Sequence, residues 1–410
     1  MAEDFQAIRS AVDRLLLEQG VYSPVELLLA EGRLSFPDYE AWRCGQIATL
    51  EEQLSGNPAR IRALLKQAGQ YAEILGLRAE RRDFLSWGNN AGRMLQVSTD
   101  AGFEDLCRTH YQRGGDEIQL DLFMDNSGNV LANGIVAALA ARRAEKAARL
   151  VDQLLETDPS HPRLSKLDSL CNAMHKLSAP LADYGAELDY LEGYLAPLAA
   201  GELGAGARDF LAPFWRRLAD ALRGLPYTAS MPTRHASYPL GRALDWSGVK
   251  AAVLNDAAWQ AYPVMRLRLA EAAFHLGERS TALATWCRLC WDFPDKAAQA
   301  FAGGALPDKE LRPDWERYCE LEPASDREPE FDTPYFPAWL LLERTQTRDA
   351  LAAEDAPQIH APGRAYAALH ELLAGGSALT EQTMTLRREL QQAHPGLFAI
   401  YMRSVVPAIR

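Results

Sequence analysis

The sequence predicts an all-α protein, and three observations carry that class. Apolar residues recur at three-to-four spacing along most of the chain, the period of a half-buried helix. No alternating β-branched run exceeds four residues, and the turn residues fall between helical stripes. Residues 265–294, MRLRLAEAAFHLGERSTALATWCRLCWDFP, read as two antiparallel helices joined by a tight turn at Gly277. Antiparallel hairpins of this kind are expected to pack as an irregular solenoid or multi-helix array, with closure into an α/α barrel as the alternative.

The elements follow in order. Phe5, Ile8, Val12, Leu15 and Leu16 mark one apolar stripe over 4–19, ended by Gly20. Ser23-Pro24-Val25-Glu26 is a helix start, with Ser23 as cap and Glu26 closing a capping box. Gly32 stops that helix. Ser35-Phe36-Pro37-Asp38 opens a longer one through 54, and Asn57-Pro58 opens a third through 75. The periodicity breaks over 87–130, where Asn89-Asn90, Gly114-Gly115 and Asp125-Asn126 are turn chemistry, with helical pieces near 103–111 and 116–124. Residues 131–155 are strongly helical, and Asp158-Pro159 stops them. Amphipathic stripes follow at 164–177, 181–198 and 209–222. Residues 223–245 carry no period and hold three prolines, the kind of long segment that often serves function. After the 265–294 hairpin come a short helix at 313–320, then stripes at 338–354, 362–373 and 380–393, then a proline-stopped tail. The expected organisation is an N-terminal bundle (1–87), a central region with one hairpin (88–225) and a C-terminal region with the second hairpin (226–410). The last carries an acidic, proline-rich insert at 303–337.

Composition bounds the function. The chain has 410 residues, 48% of them hydrophobic, enough for sizeable buried cores. Its net charge is −12 and its pI near 5.3, which argues against non-specific nucleic-acid binding and against an anionic membrane surface. Residues 303–360 alone hold 14 acids against 6 bases. Arg outnumbers Lys 36 to 7. The arginines are scattered rather than clustered, so the bias reads as codon usage rather than as a phosphate site. Glu3 and Asp4 stand where a leader would carry basic residues, and no run of eighteen apolar residues occurs, so a cytoplasmic location is expected. Six irregularly spaced cysteines fit reduced thiols.

The 265–294 spacing carries a resemblance. Gly277 permits a tight turn, and Ala282 is small where two helices cross. Trp286 fills the space beyond on the same face, and Pro294 ends the second helix. These offsets resemble the second half of a tetratricopeptide (TPR) motif over 263–294. Ala270 and Ala273 stand where that family has Gly and Tyr. Over 131–159, Ala147, Val151, Leu154 and Asp158-Pro159 match a second, partial motif in which Arg142 replaces the turn glycine. The resemblance implies a non-enzymatic scaffold that binds a protein or peptide segment, with a homo-oligomer also possible. It does not imply capture of a terminal carboxylate, because Leu267 and Glu271 occupy the places of the gripping Lys and Asn.

Cys287 and Cys290 share a helical face between Trp286 and Trp291. They lack the further ligands of a zinc site and the strand-to-helix setting of a redox pair, and so read as core thiols. Asp121 and Asp125 suggest calcium, but the loop spacing of a calcium site is missing. Gly201 to Gly206 follows a helix and has no Gly-Lys-Ser/Thr after it, so it reads as a linker and not a phosphate loop. No catalytic residue, cofactor or metal is therefore expected. The partner-binding candidates lie in the aperiodic segment and beside the Gly277 hairpin: Tyr227, Arg234, His235 and Tyr238. One alternative is an all-α enzyme acting on carbohydrate through Asp245 and Asp256, paired carboxylates among aromatics. Another is a DNA-binding helix-turn-helix at 23–54, which a single Arg43 against Glu40, Glu51 and Glu52 fits poorly.

Overall fold

The structure is a computed structural model and describes residues 2–88, 92–113, 126–303, 306, 308, 311–323, 329–344, 346–375 and 380–405. The turns expected at Asn89-Asn90 and Gly114-Gly115, the helical piece at 116–124 and the carboxylates Asp121 and Asp125 lie outside these residues. The described residues are overwhelmingly helical, and the class is all-α. They form two compact units: residues 1–226 with 233–245, and residues 227–232 with 246–410.

The first unit opens with helices Ala2–Gln19, Pro24–Ala30, Phe36–Arg43 and Pro58–Ile74. They surround a core that includes Val12, Leu27, Trp42 and Leu65. Caps explain two of the starts. Ser35 Oγ takes the Asp38 amide at 3.2 Å, and Asn57 Oδ1 takes the amides of Ala59 and Arg60 at 2.9 and 3.3 Å. Ser23 makes no such bond. It follows a strand residue, and its hydroxyl lies 3.5 Å from His110 Nε2 instead. Glu26 closes no capping box; Arg208 grips its carboxylate at 2.8 and 3.0 Å. The helix expected through 54 ends at Arg43. Gly45, at φ +74°, turns the chain, and the Gln46 amide returns to Ala41 O at 2.9 Å. The segment beyond docks on 95–98: Trp42 donates its indole N–H to Gln96 O at 2.9 Å, and Thr49 bridges to Gln96.

A small antiparallel sheet, absent from the sequence reading, joins β1 (Val21–Tyr22), β2 (Arg78–Arg81) and β3 (Thr109–Gln112) in the order β1-β3-β2. Its register pairs Tyr22 and Ala79 with Tyr111. The strands are too short for an alternating signal, and β2 is exposed along its whole length.

The helical stretch over 131–155 is two helices, Asn126–Ala140 and Ala144–Thr157, parted where the sequence sets Arg142 in the place of a turn glycine. Arg142 breaks it at φ +55°. The amides of Arg142 and Arg143 return to Leu139 O at 2.9 Å and Ala138 O at 2.8 Å, the paired bonds of a Schellman turn. Glycine is the usual occupant of that position. Arg142 is pinned there by its side chain, which donates to Asp209 O at 2.7 Å, pairs with Glu40 and lies 4.4 Å above the Trp87 ring. Glu40 is buried and also pairs with Arg216. Helices Ala101–Arg108, Leu164–Lys176, Tyr184–Tyr190, Ala196–Leu203, Ala207–Ala221 and Ser237–Arg242 also belong to this unit. The glycines at 204–206 form one 3₁₀ turn. A Cβ on Gly206 would come within 2.8 Å of Ala140 Cβ, so the linker needs glycine where it crosses the earlier helix.

The second unit contains the hairpin expected around Gly277, as helices Pro263–His275 and Arg279–Asp292. Gly277 lies at φ +78°, and the amides of Gly277 and Glu278 return to Phe274 O and Ala273 O at 3.0 and 2.8 Å. This is the turn seen at Arg142, here built on glycine. Ala270, Ala273, Ala282 and Trp286 are buried in the core of the unit. Pro294 ends one helix and begins the next, Pro294–Ala302. Pro395 likewise begins a helix, Pro395–Val405. A proline at the first helical position has no N–H to leave unsatisfied and a preset φ. The stripe expected at 338–354 is divided into Phe336–Glu343 and Gln346–Ala350.

Candidate interaction surface

In the first unit, Asp183 begins a helical segment that runs to Leu203. Its Oδ1 accepts the amides of Gly185 and Ala186 at 2.7 and 3.1 Å, and these bonds hold its carboxyl below the usual range. The segment starts as Tyr184–Tyr190, widens to a π-turn over Leu191–Leu195 and closes as Ala196–Leu203. Pro197 has no N–H to offer Gly193, and the wide turn lies just before it. Leu188, Leu191, Leu195 and Ala199 are buried. The outer side carries three large aromatics: Tyr184, Tyr190 and Tyr194 are 40%, 36% and 47% exposed. The rings of Tyr190 and Tyr194 lie 5.7 Å apart at 30°. Burial, followed by the neighbouring phenol and Glu187, raises the Tyr190 hydroxyl above its ordinary pKa.

Two of the sequence candidates meet this segment. Arg234 is exposed and lies over the Tyr184 ring at 5.8 Å. Its Nη2 lies within 2.7 Å of the place a Gly185 Cβ would take, so glycine there makes room for the guanidinium. Tyr238 donates its hydroxyl to Glu192 and stands edge-on to Trp215 at 6.5 Å. His235 is buried, with Nδ1 2.8 Å from Ser237 Oγ and 3.3 Å from the Ser237 amide. The amide can only donate, which assigns the ring proton to Nε2. These contacts start a helix, Ser237–Arg242, inside the segment read as aperiodic. Tyr227 belongs to the second unit and is buried, its amide on Asp256 Oδ2 at 2.7 Å and its ring 4.7 Å from Tyr262. Tyr184, Tyr190, Tyr194 and Glu192 escaped the sequence reading. The signal that could have found them is tyrosine spaced at six and four residues on a stripe whose buried positions were already filled by leucine.

The remaining candidates have structural surroundings. Asp256 spends both oxygens on backbone amides, Tyr227 at 2.7 Å and Ala258 at 2.9 Å, and Asp245 belongs to the other unit. Trp246 stacks on His275 at 4.2 Å. Within 23–54, Arg43 donates to Tyr39 at 2.8 Å and lies 4.6 Å above Trp87. Cys287 and Cys290 are buried; burial pushes the first thiol up to about 12 and the second well above its ordinary value. Among the described residues no group of three or more His, Cys, Asp or Glu could hold a metal ion, and no helix is long and apolar enough to cross a membrane.

The fold and this surface define a class of all-helical protein with an exposed aromatic face on one of its units. Comparison with family models, with curated proteins and with solved structures finds no match to the chain.

Proposed function

We propose that the protein is a non-enzymatic scaffold of TPR-like helical hairpins that captures a segment of another protein on the face of Tyr184, Tyr190 and Tyr194. The observation that carries this reading is the tyrosine pair at 5.7 Å, exposed on a helix whose opposite side is fully packed. Tyrosine offers a large contact area with only two side-chain torsions to immobilise and a hydroxyl that tolerates water, and it is enriched where proteins meet. Two hairpins that close with the same Schellman turn, at Arg142 and at Gly277, support the TPR-like part of the reading.

A benzophenone amino acid placed at Tyr194 tests it in cells. The expected result is a discrete cross-linked adduct that is absent when the probe stands at Leu155, an exposed position in the same unit. Tyr190→Ala should abolish the adduct with the melting temperature unchanged. Equal adducts from both positions, or none from Tyr194, would overturn the proposal.

A further inference from the structure

The segment that carries the tyrosines is one-sided in its own charge. Residues 177–207 contain five acids, Asp183, Glu187, Asp189, Glu192 and Glu202, and no Lys or Arg. Their local cations come from elsewhere in the unit and are spread thinly. Glu202 is held by Arg163 at 2.7 Å and Lys166 at 3.1 Å, and Glu187 faces Arg217 at 3.5 Å. Glu192 accepts the neutral hydroxyl of Tyr238, and Asp189 is exposed. The two tyrosines and these two carboxylates thus share one short stretch, 189–194.

Tyrosine rings attract cations through their negative faces, and carboxylates attract them directly. The protein already shows the aromatic half of that recognition within itself, in Arg234 over Tyr184 at 5.8 Å. Tyr190 and Tyr194 present equivalent rings with substantial exposed area.

We infer that the segment captured here is basic: a Lys- or Arg-bearing stretch of a partner protein, its cations placed on Tyr190 and Tyr194 and drawn there by Asp189 and Glu192 on the flanks of the same helical segment. This rests on the scaffold reading above and adds the chemistry of the partner. The basic side chains supply electrostatic steering, which salt screens over about 10 Å at 0.1 M. The rings supply the part that salt leaves.

The test uses the full chain and two labelled peptides of equal length, one Lys/Arg-rich and the other with Glu at those positions, followed by fluorescence anisotropy. The basic peptide should bind and the acidic one should not. Raising salt from about 50 to about 200 mM should weaken binding several-fold. Asp189→Asn with Glu192→Gln, and separately Tyr190→Ala with Tyr194→Ala, should each weaken it about three- to tenfold. The charge-matched control, Asp152→Asn with Glu156→Gln, exposed on another helix of the same unit, should leave it unchanged. Equal loss in that control would reduce the effect to general attraction by an acidic protein and overturn the inference. Binding that is unchanged in the Asp189/Glu192 variant would also overturn it. A tyrosine-dependent cross-link in cells, combined with no basic-peptide binding, would leave the scaffold standing and remove the basic partner.

Discussion

Arg142 and Glu40, 102 residues apart in the chain, form an ion pair at the turn of a helical hairpin in the first unit. Glu40 is buried and holds Arg216 as well. Removing one member of a buried pair leaves the other charged and unsolvated. Glu40→Ala should therefore cost about 3–5 kcal/mol, read as a lower urea midpoint. Arg142→Gly and Arg142→Ala both lose the pair, but only alanine is strained at φ +55°. The alanine variant should be the less stable by about 1 kcal/mol. Equal midpoints would show that the turn relaxes out of the left-handed region.

Two glycines in the second unit separate backbone strain from crowding. A Cβ at Gly277 meets nothing within 4 Å, yet φ is +78°. Gly277→Ala should cost about 1–2 kcal/mol, and Gly277→Asn less, because asparagine tolerates the left-handed region. A Cβ at Gly363 would lie 2.1 Å from Pro357 O, a backbone atom that cannot swing aside. Gly363→Ala should cost more than Gly277→Ala, and thermal melts of the three variants give the order.

Thiol labelling should follow burial. Cys319 is exposed and Cys44 half-buried, whereas Cys107, Cys171, Cys287 and Cys290 are buried. Burial raises Cys107 and Cys287 to about 12, so almost no thiolate exists near neutral pH. A disulfide reagent at about pH 8 should modify Cys319 first and Cys44 next, and the four buried thiols only on unfolding. Rapid native labelling at Cys287 or Cys290 would mean that the hairpin core opens readily.

His275 gives a pH dependence with a defined sign. Burial, and then Arg279, lower its pKa from 6.5 to about 4. The folded state therefore refuses a proton that the unfolded chain accepts, and stability must fall as pH drops from 6.5 towards 4. The full effect is on the order of 1–3 kcal/mol. His275→Gln should flatten this part of the profile. Because the ring stacks on Trp246 at 4.2 Å, its protonation should also appear as a tryptophan fluorescence change with a midpoint near pH 4. A midpoint near 6.5 would show the ring to be solvated.

Much of the helix pattern was legible because its causes are local. Ser35 and Asn57 cap where their types predict, and Gly277 turns where glycine alone is comfortable. A proline carries two meanings: Pro294 closes one helix, as its place in the sequence predicts, and also starts the next. Of the candidate surface, Arg234 and Tyr238 could be picked from an aperiodic segment. Tyr184, Tyr190 and Tyr194 could not, since a helical stripe does not say which of its aromatics remains outside.

The sequence by itself determined the helical class, the Gly277 hairpin and the acidity of the chain, since period, turn chemistry and charge count are properties of neighbours along the chain. Only the tertiary structure decided what lets arginine hold the turn at 142. An arginine takes the glycine position there because Glu40, Asp209 and Trp87, all distant in sequence, supply the partners that offset its strain. It also decided that Ser23 meets His110 instead of capping, and that Glu26 meets Arg208. The tyrosine face has the same origin. Buried leucines fix the orientation of its helix, and what they leave outside is settled by packing and not by local propensity.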